Sequence, residues 1–507
     1  MKVYFRIALV LALVALLQFP LLGMGQTATW ADVALALDRL NDARRAHPVP
    51  AEELAAFSRK VDGALVRHTS GQMKKIVKAL DKLTASLEST SGGTPEETAD
   101  SSTALHAASL KVSLVPRSHM IGSKTPPVAT ISPLYDAEVA AEGTLILRIT
   151  LPGDAGAIEV PFDSAAAKEG DLSLTIPLGD NLAPGACPVE LVTPGGRAVS
   201  KSPWYLITRP LAEVRAANEK RLDKIEAESD VMKQALGACR DRNKLLKEAP
   251  AGKKLTAFRT DPVKLMSELD AEIAALEKGL DPFKGRQGDY WRTITVGDGI
   301  TVPVRVYAPA SITEAESLPL MLVFRGPIAA PHMNLESYGA GKLGRLAEEK
   351  GFVVAAPAIP LYQAGRQVQR SSIIEDTFRT LFMVLEAEYP IAPDRVFTLG
   401  HATGGIHATT TAKKNLDKVS AVCCISSTTL DYSLQEEIPI TLLMTGSEDR
   451  NSPPNRVEGI SIIALAREIP IHYQEIKNHG RVTAAGEGLA AAVDWLLAQE
   501  TRAGKEE

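Results

Sequence analysis

The chain has 507 residues, of which 45% are hydrophobic and 23% charged, and its formal net charge is -5. The length suffices for about three domains, and the composition excludes a disordered or disulfide-rich chain. The acidic balance argues against nucleic acid as a partner, because phosphate binding requires clustered lysine and arginine. Composition alone selects no function.

The first 25 residues have the pattern of a secretory signal peptide. Lys2 and Arg6 precede an apolar run over residues 7–17, and Gly25 stands where cleavage is expected. The run is shorter than the roughly 18 residues that a membrane span needs, so we expect a secreted or periplasmic protein with no stable membrane span after cleavage. An uncleaved segment would instead leave the protein membrane-anchored.

Two regions carry the apolar spacing of amphipathic helices. In residues 26–90 and again in 209–285, apolar side chains recur three and four positions apart. Such helices need a partner, and we expect the two regions to pack together in one bundle. Between the first region and the next, residues 91–104 are rich in small and polar side chains, which predicts a flexible linker.

Residues 105–208 change to the period of β-strands. Leu145, Leu147 and Ile149 alternate with other residues, and Pro-Gly pairs punctuate the runs. This pattern predicts a β-sandwich of about a hundred residues, with an immunoglobulin-like arrangement as one option although the Cys-Trp-Cys signature is absent. Its expected role is spacing or binding.

The four cysteines are Cys187, Cys239, Cys423 and Cys424, and the last two are adjacent in an apolar run. Adjacent cysteines rarely satisfy the geometry of a disulfide, so all four are predicted to be small buried hydrophobic residues. Their spacing does not match a zinc site. We therefore expect neither a metal nor another cofactor.

From residue 288 to 500, strand and helix patterns alternate. This alternation predicts a doubly wound, mostly parallel sheet covered by helices on both faces, with chemistry at the carboxyl ends of the strands. The predicted strands are 291–296, 302–307, 320–324, 352–357, 395–399, 419–425, 440–445 and 471–476.

The most informative segment is Gly400-His401-Ala402-Thr403-Gly404, which follows a predicted strand and precedes a predicted helix. This is the pattern of a nucleophile elbow, and residues 288–500 resemble an α/β-hydrolase. The preceding Asp-Arg-Val at 394–396 is similar to secreted esterase and polyhydroxybutyrate-depolymerase-like proteins. The family places a serine at the centre of the elbow, where this chain has Ala402, and a methyl group cannot attack a carbonyl.

The resemblance implies the other two members of a catalytic triad. Asp449 follows a predicted strand where the family keeps its acid, and His479 follows the last strand where the family keeps its histidine. Elbow, acid and histidine also occur in the family's order along the chain. Asp449 and His479 are therefore predicted to be the remnant of a triad that has lost its serine.

The resemblance also implies an oxyanion hole. The family commonly takes one N–H donor from the loop after the third strand, where this chain has Gly326 and Pro327. Proline has no N–H to donate, and loss of one such donor costs about a hundred-fold in rate. Thr403 would supply the other donor, so the predicted oxyanion hole is degenerate.

Two functions follow from these residues. In the first, the domain has lost its chemistry and is a binding or interaction module, with a small-molecule or polymer ligand in the degenerate cleft or a protein partner at the helical regions or the β-sandwich. In the second, it is a working carboxylic-ester hydrolase that uses Thr403 or a water activated by His479, with Asp449 as its orienter. The missing serine hydroxyl at Ala402 and the missing N–H donor at Pro327 favour the first function.

Overall fold

The computed structural model describes residues 28–65, 72–89, 95–138, 143–247, 259–297, 299–313, 315–324, 339–359, 362–363, 366–367, 370–430 and 437–499. The predicted signal peptide and the oxyanion-hole residues Gly326 and Pro327 lie outside these ranges. Among the described helices, none combines the length and the apolar character that crossing a membrane requires.

Four helices open the described chain. They are α1 (Trp30–Ala46), α2 (Ala51–Leu65), α3 (Met73–Ser89) and α4 (Pro95–Ser109). The prediction of a flexible linker over 91–104 is wrong from residue 95 onward. Ala104 and Ala107 are buried in the core of the strands that follow, and this burial stabilises α4.

Ten strands follow α4, interrupted by one short helix. The strands are β1 (Leu110–Val115), β2 (Ser118–Met120), β3 (Val128–Pro133), β4 (Thr144–Thr150), β5 (Ala157–Asp163), β6 (Leu172–Thr175), β7 (Gly185–Cys187), β8 (Val189–Val192), β9 (Ala198–Ser200) and β10 (Trp204–Ile207), with α5 (Ser164–Glu169) between β5 and β6. They form sheets of order β1-β3-β6, β2-β10-β7 and β5-β4-β8-β9. These strands share one apolar core, in which Trp204 is fully buried.

The second helical region contains α6 (Leu211–Leu222), α7 (Asp230–Asn243) and α8 (Pro262–Leu276). The start of α8 is set by its sequence. The Asp261 carboxylate accepts the backbone N–H groups of Val263 and Lys264, and Pro262 occupies the first turn, where its missing N–H costs nothing.

The alternation predicted for residues 288–500 is confirmed over 288–497. The elements are β11 (Gly288–Val296), β12 (Ile300–Ala308), β13 (Leu318–Phe324), α9 (Lys342–Lys350), β14 (Val353–Pro357), β15 (Tyr362–Gln363), β16 (Arg366–Gln367), α10 (Arg370–Glu388), β17 (Ile391–His401), α11 (Gly404–Lys414), β18 (Val419–Ile425), β19 (Ile440–Gly446), α12 (Pro454–Leu465), β20 (Ile471–Ile476), α13 (Arg481–Glu487) and α14 (Leu489–Leu497). Eight strands form one sheet of order β11-β12-β14-β13-β17-β18-β19-β20. Only β12 in this sheet runs antiparallel to its neighbours on both sides.

The two helical regions belong to apolar clusters on opposite faces of this sheet. Along β13, Met321 and Val323 belong to the apolar cluster that contains α1–α3, α9, α13 and α14. Leu320 and Leu322 point the other way, into the cluster that contains α6–α8 and α10–α12. The expectation that the two regions form one bundle is therefore wrong. Each region is buried in a different one of the two apolar clusters.

A buried polar network joins the first helices to the strand region. The Asp81 carboxylate on α3 is 2% exposed and accepts hydrogen bonds from Arg39 Nε (3.1 Å), Arg39 Nη2 (2.6 Å) and the Tyr135 hydroxyl (2.8 Å). Arg39 also donates to the Ser200 carbonyl at 3.2 Å. Because these groups are removed from water, each depends on the others for its hydrogen bonds.

Replacing Asp81 with alanine would leave Arg39 and Tyr135 without their shared acceptor. We expect Asp81→Ala to lower the free energy of unfolding, measured by urea denaturation, by about 3–5 kcal/mol, because it leaves the buried charge of Arg39 without its carboxylate. Asp42→Ala is the matched control, since Asp42 pairs with Arg45 on the exposed side of α1, and should cost less than about 1 kcal/mol. Equal costs for the two variants would contradict the assignment.

Candidate functional site

The backbone at Ala402 has the geometry of a nucleophile elbow. Ala402 lies between β17 and α11 with φ at 55°, a left-handed conformation that non-glycine residues rarely adopt. Its N–H donates to the Ile425 carbonyl at 2.9 Å, and its own carbonyl accepts the Gly405 N–H at 3.0 Å. These bonds hold the strained turn in place. The residue at its centre is 2% exposed and carries only a methyl group.

The turn is tight enough to require glycine on its strand side. A Cβ at Gly400 would lie 2.5 Å from the Gly404 carbonyl oxygen and 2.7 Å from the Gly405 Cα. Both of these are backbone atoms, which cannot move aside as a side chain can. The turn therefore has the steric requirements of an elbow, with a methyl group at its centre.

Thr403, the nearest hydroxyl in sequence, is exposed beside Ala402. It is the N-cap residue of α11, but its side chain makes no capping hydrogen bond. The hydroxyls of Ser426 and Ser427 are buried and donate to the backbone carbonyls of Arg481 (3.5 Å) and Thr429 (3.1 Å). These two serines therefore satisfy backbone groups.

Asp449 lies in the loop after β19, which we name the acid loop (residues 447–452). Its side chain is 2% exposed, and Oδ1 accepts the backbone N–H groups of Asn451 (2.8 Å) and Ser452 (2.9 Å). Its second oxygen, Oδ2, is buried and has no hydrogen-bond partner. Oδ1 therefore stabilises the acid loop, whereas Oδ2 is a buried acceptor without a hydrogen bond.

His479 lies in the loop after β20, which we name the histidine loop (residues 477–483). Its side chain is buried, and Nδ1 has no hydrogen-bond partner. Burial lowers the pKa of His479, Glu487 raises it, and Arg44 and Lys342 lower it further. The net effect lowers the pKa of His479 and so favours its neutral form, among charges that come from α1, α9 and α13.

The predicted Asp449–His479 pair is not assembled. The two loops touch through their backbones, since the Glu448 N–H donates to the His479 carbonyl at 2.9 Å. The side-chain atoms that a triad would join, Asp449 Oδ2 and His479 Nδ1, each lack a partner instead. A histidine without its carboxylate has no group to orient it as a base.

Sequence reasoning missed the contribution of α2. Asp62 and Ser58 lie four residues apart on one face of α2, and both bind the histidine loop. Burial, and to a lesser degree the charge of Asp449, raises the pKa of Asp62 to about 6. Two polar residues beside the apolar stripe of Phe57 and Val61 are a weak signal of such a contact, because they read equally well as solvated positions.

His401, next to the elbow, is a structural residue. It is buried, and its Nε2 donates to the Arg481 carbonyl at 3.1 Å. Burial together with the Arg481 charge lowers the pKa of His401 to about 3, so the ring is neutral at physiological pH. His407 contacts the Phe324 ring edge-on at 6.1 Å.

The four cysteines are buried and free of disulfides, as predicted. Within the ranges that the structure describes, no group of three or more His, Cys, Asp or Glu side chains could hold a metal ion.

Among the comparisons with known proteins, only the search of solved structures finds similar proteins. No protein-family model matches the chain, and a search of curated proteins finds no match. Among solved structures, S-formylglutathione hydrolase from Staphylococcus aureus is 14% identical, with 42% of this chain and 99% of that chain covered and a TM-score of 0.34. A hyperthermophilic esterase from Pyrobaculum calidifontis is 15% identical, with 42% and 85% covered and a TM-score of 0.34. An α/β hydrolase from a Medee basin deep-sea metagenome library is 18% identical, with 42% and 98% covered and a TM-score of 0.33.

The topology itself defines the fold of the C-terminal part. The eight-stranded sheet, the antiparallel second strand, the elbow after β17 and the acid and histidine loops after β19 and β20 occur in the order typical of α/β hydrolases. Residues 288–497 therefore have an α/β-hydrolase-like fold.

A methyl group added at Gly400 tests the elbow. Gly400→Ala should lower the free energy of unfolding by about 3 kcal/mol, because the new Cβ overlaps backbone atoms. Gly459→Ala is the matched control. Gly459 lies inside α12 with nothing within 4 Å of an added Cβ, so that variant should be neutral or stabilising by up to about 1 kcal/mol. A Gly400→Ala protein as stable as the control would contradict the steric account.

The lowered pKa of His401 predicts a loss of stability in acid. The unfolded chain takes up a proton at His401 near pH 6.5, but the folded chain does so only near pH 3. The stabilising contribution is therefore complete above pH 6.5 and is lost as the pH falls toward 3. When the pH falls from 7.5 to 5.5, the free energy of unfolding, measured with urea, should decrease by about 1.4 kcal/mol more in the wild type than in His401→Gln. Equal losses would show that His401 does not titrate in this way.

Proposed function

We propose that residues 288–500 form a hydrolase-like domain that has lost its hydrolytic chemistry and acts as a binding and interaction module of an exported multidomain protein. The observation that carries this proposal is Ala402. It occupies the strained central position of an otherwise complete elbow. Strained backbone of this kind persists only where the surrounding structure imposes it, and here it presents no nucleophile.

The state of the other two triad residues supports the same proposal. A water-based mechanism needs a histidine that accepts a proton and a carboxylate that orients it. Asp449 Oδ2 and His479 Nδ1 do not bind each other, and burial with nearby cations disfavours the charged imidazole that such a step would create. This arrangement does not favour the alternative of an active ester hydrolase.

The domain has physical features suited to an interaction role. Its sheet supports the first helices on one face and α6–α8 on the other, so it organises most of the described chain. A cavity of about 660 Å³ lies between α2 and the acid loop, lined by Arg59, Lys60, Arg450 and Asn451 among others. Concave sites of this size accept small molecules or single groups of a polymer.

Ester turnover tests the loss of chemistry. The purified full chain, incubated with p-nitrophenyl butyrate, should release nitrophenol no faster than buffer containing an inert protein of the same concentration. His479→Ala should give the same rate as the wild type, because the proposal assigns His479 no proton transfer. Thr403→Val should do likewise, because it removes the neighbouring hydroxyl while keeping the side-chain volume.

Two outcomes would overturn the proposal. Turnover that His479→Ala abolishes would show that the histidine is a working base. Turnover that Thr403→Val abolishes would show that the elbow uses its neighbouring hydroxyl as the nucleophile.

A further inference from the structure

We propose that α2 is a built-in brace that sets the position of the histidine loop and keeps the His479 side chain apart from Asp449. Its two positioning residues are Ser58 and Asp62. The proposal concerns where His479 is held, and it stands whether or not the domain turns over an ester.

Helix α2 forms hydrogen bonds with the histidine loop on both sides of His479. Before the histidine, Ser58 Oγ donates to the Asn478 carbonyl at 3.0 Å. After it, the Asp62 carboxylate accepts the backbone N–H groups of Arg481 and, at 2.9 Å, Val482. The backbone flanking His479 is therefore fixed by a helix that lies more than 400 residues away in sequence.

The histidine loop is shaped to receive Asp62. A Cβ at Gly480 would collide with the Asp62 carboxylate, so only glycine lets this carboxylate reach the two N–H groups. Thr483 Oγ1 extends the contact by donating to Ser58 Oγ at 3.1 Å. Loop and helix are thus complementary in both shape and hydrogen bonding.

The same helix also reaches the acid loop. Arg59 of α2 forms an ion pair with Glu448, the neighbour of Asp449. Glu448 in turn donates its N–H to the His479 carbonyl. One helix therefore contacts both of the loops that would have to move together to assemble an aspartate–histidine pair.

The helix is anchored firmly enough to act as a brace. Phe57, Val61 and Leu65 are buried in the apolar cluster that covers one face of the large sheet. Within this cluster α2 packs against α3 and α13, and this packing fixes its position, so Ser58 and Asp62 are held beside the histidine loop.

The consequence of the brace is visible in two unsatisfied atoms. Asp449 Oδ2 and His479 Nδ1 are complementary, and buried polar atoms without partners are unfavourable. Their separation needs a physical cause, and the contacts from α2 provide it. The charges that act on His479 come from Glu487, Arg44 and Lys342, whereas Asp449 acts on Asp62.

The pKa of His479 shows whether its imidazole is paired with a carboxylate. A neighbouring carboxylate raises the pKa of histidine, and burial without one lowers it. Titration of the His479 ring signals by NMR in the full chain should give a pKa below 6.5. Ser58→Ala combined with Asp62→Ala should raise it by about one unit or more, because the freed loop lets His479 Nδ1 bind Asp449. Glu53→Gln, an exposed carboxylate on the same helix, is the matched control and should leave it unchanged.

The Asp449→Asn variant shows whether a change in the pKa of His479 comes from release of the histidine loop or from a general loss of structure. In the wild-type background it should move the pKa of His479 by less than about 0.3 units, because the two side chains do not pair. In the Ser58→Ala, Asp62→Ala background it should abolish the rise. Two results would overturn the proposal: an unchanged pKa in the double variant with native near-UV circular dichroism, or a fall of about one unit in Asp449→Asn alone. If the double variant does not fold, the single Asp449→Asn titration decides the question.

Discussion

The large sheet is apolar on both faces, and each face must be removed from water. Alternate residues of β13 project into two separate apolar clusters, each of which also contains helices from outside the hydrolase-like part of the chain. At about 25 cal/mol per Å² of buried apolar surface, this burial is the largest favourable contribution to the assembly. It explains why the first helices and α6–α8 lie on opposite faces of the sheet.

The position of α2 beside the histidine loop follows from this constraint. Its apolar side chains are buried in the cluster on one face of the sheet, where α2 packs against α3 and α13. Its polar side chains Ser58 and Asp62 therefore contact the histidine loop at the carboxyl end of β20. In a doubly wound sheet those ends are where chemistry is normally built. In this protein a structural helix occupies that region, the elbow has a methyl group at its centre, and the acid and histidine side chains remain separate.

The sequence predicts the C-terminal architecture well because central strands such as β13 and β18 are buried on both faces and appear as continuous apolar runs. The bounds of β18 and β20 agree with the prediction at both ends. The positive φ at Ala402 could also be expected, since Gly400 and Gly404 flank a strand-to-helix turn. Helix α4 was not predicted, because its stability comes from burying Ala104 and Ala107 in a core formed by later strands.

The relation between Asp449 and His479 could not be read from the sequence. Strand order places both residues in adjacent loops, but side-chain pairing depends on a helix near the start of the chain. Contacts over such sequence separations leave only small local signals, here two polar residues next to an apolar stripe. The same reason explains the wrong expectation of a single helical bundle, since amphipathic spacing shows that a helix needs a partner without showing which partner it finds.

Covalent capture distinguishes an elbow that carries no nucleophile from one that uses another hydroxyl. Intact-protein mass spectrometry after exposure of the full chain to an alkyl fluorophosphonate would reveal a phosphonyl group on any activated hydroxyl. We expect the mass of this protein to stay unmodified under conditions that fully label a serine esterase. A stoichiometric mass increase that maps to Thr403, or to another hydroxyl at the carboxyl ends of the strands, would contradict it.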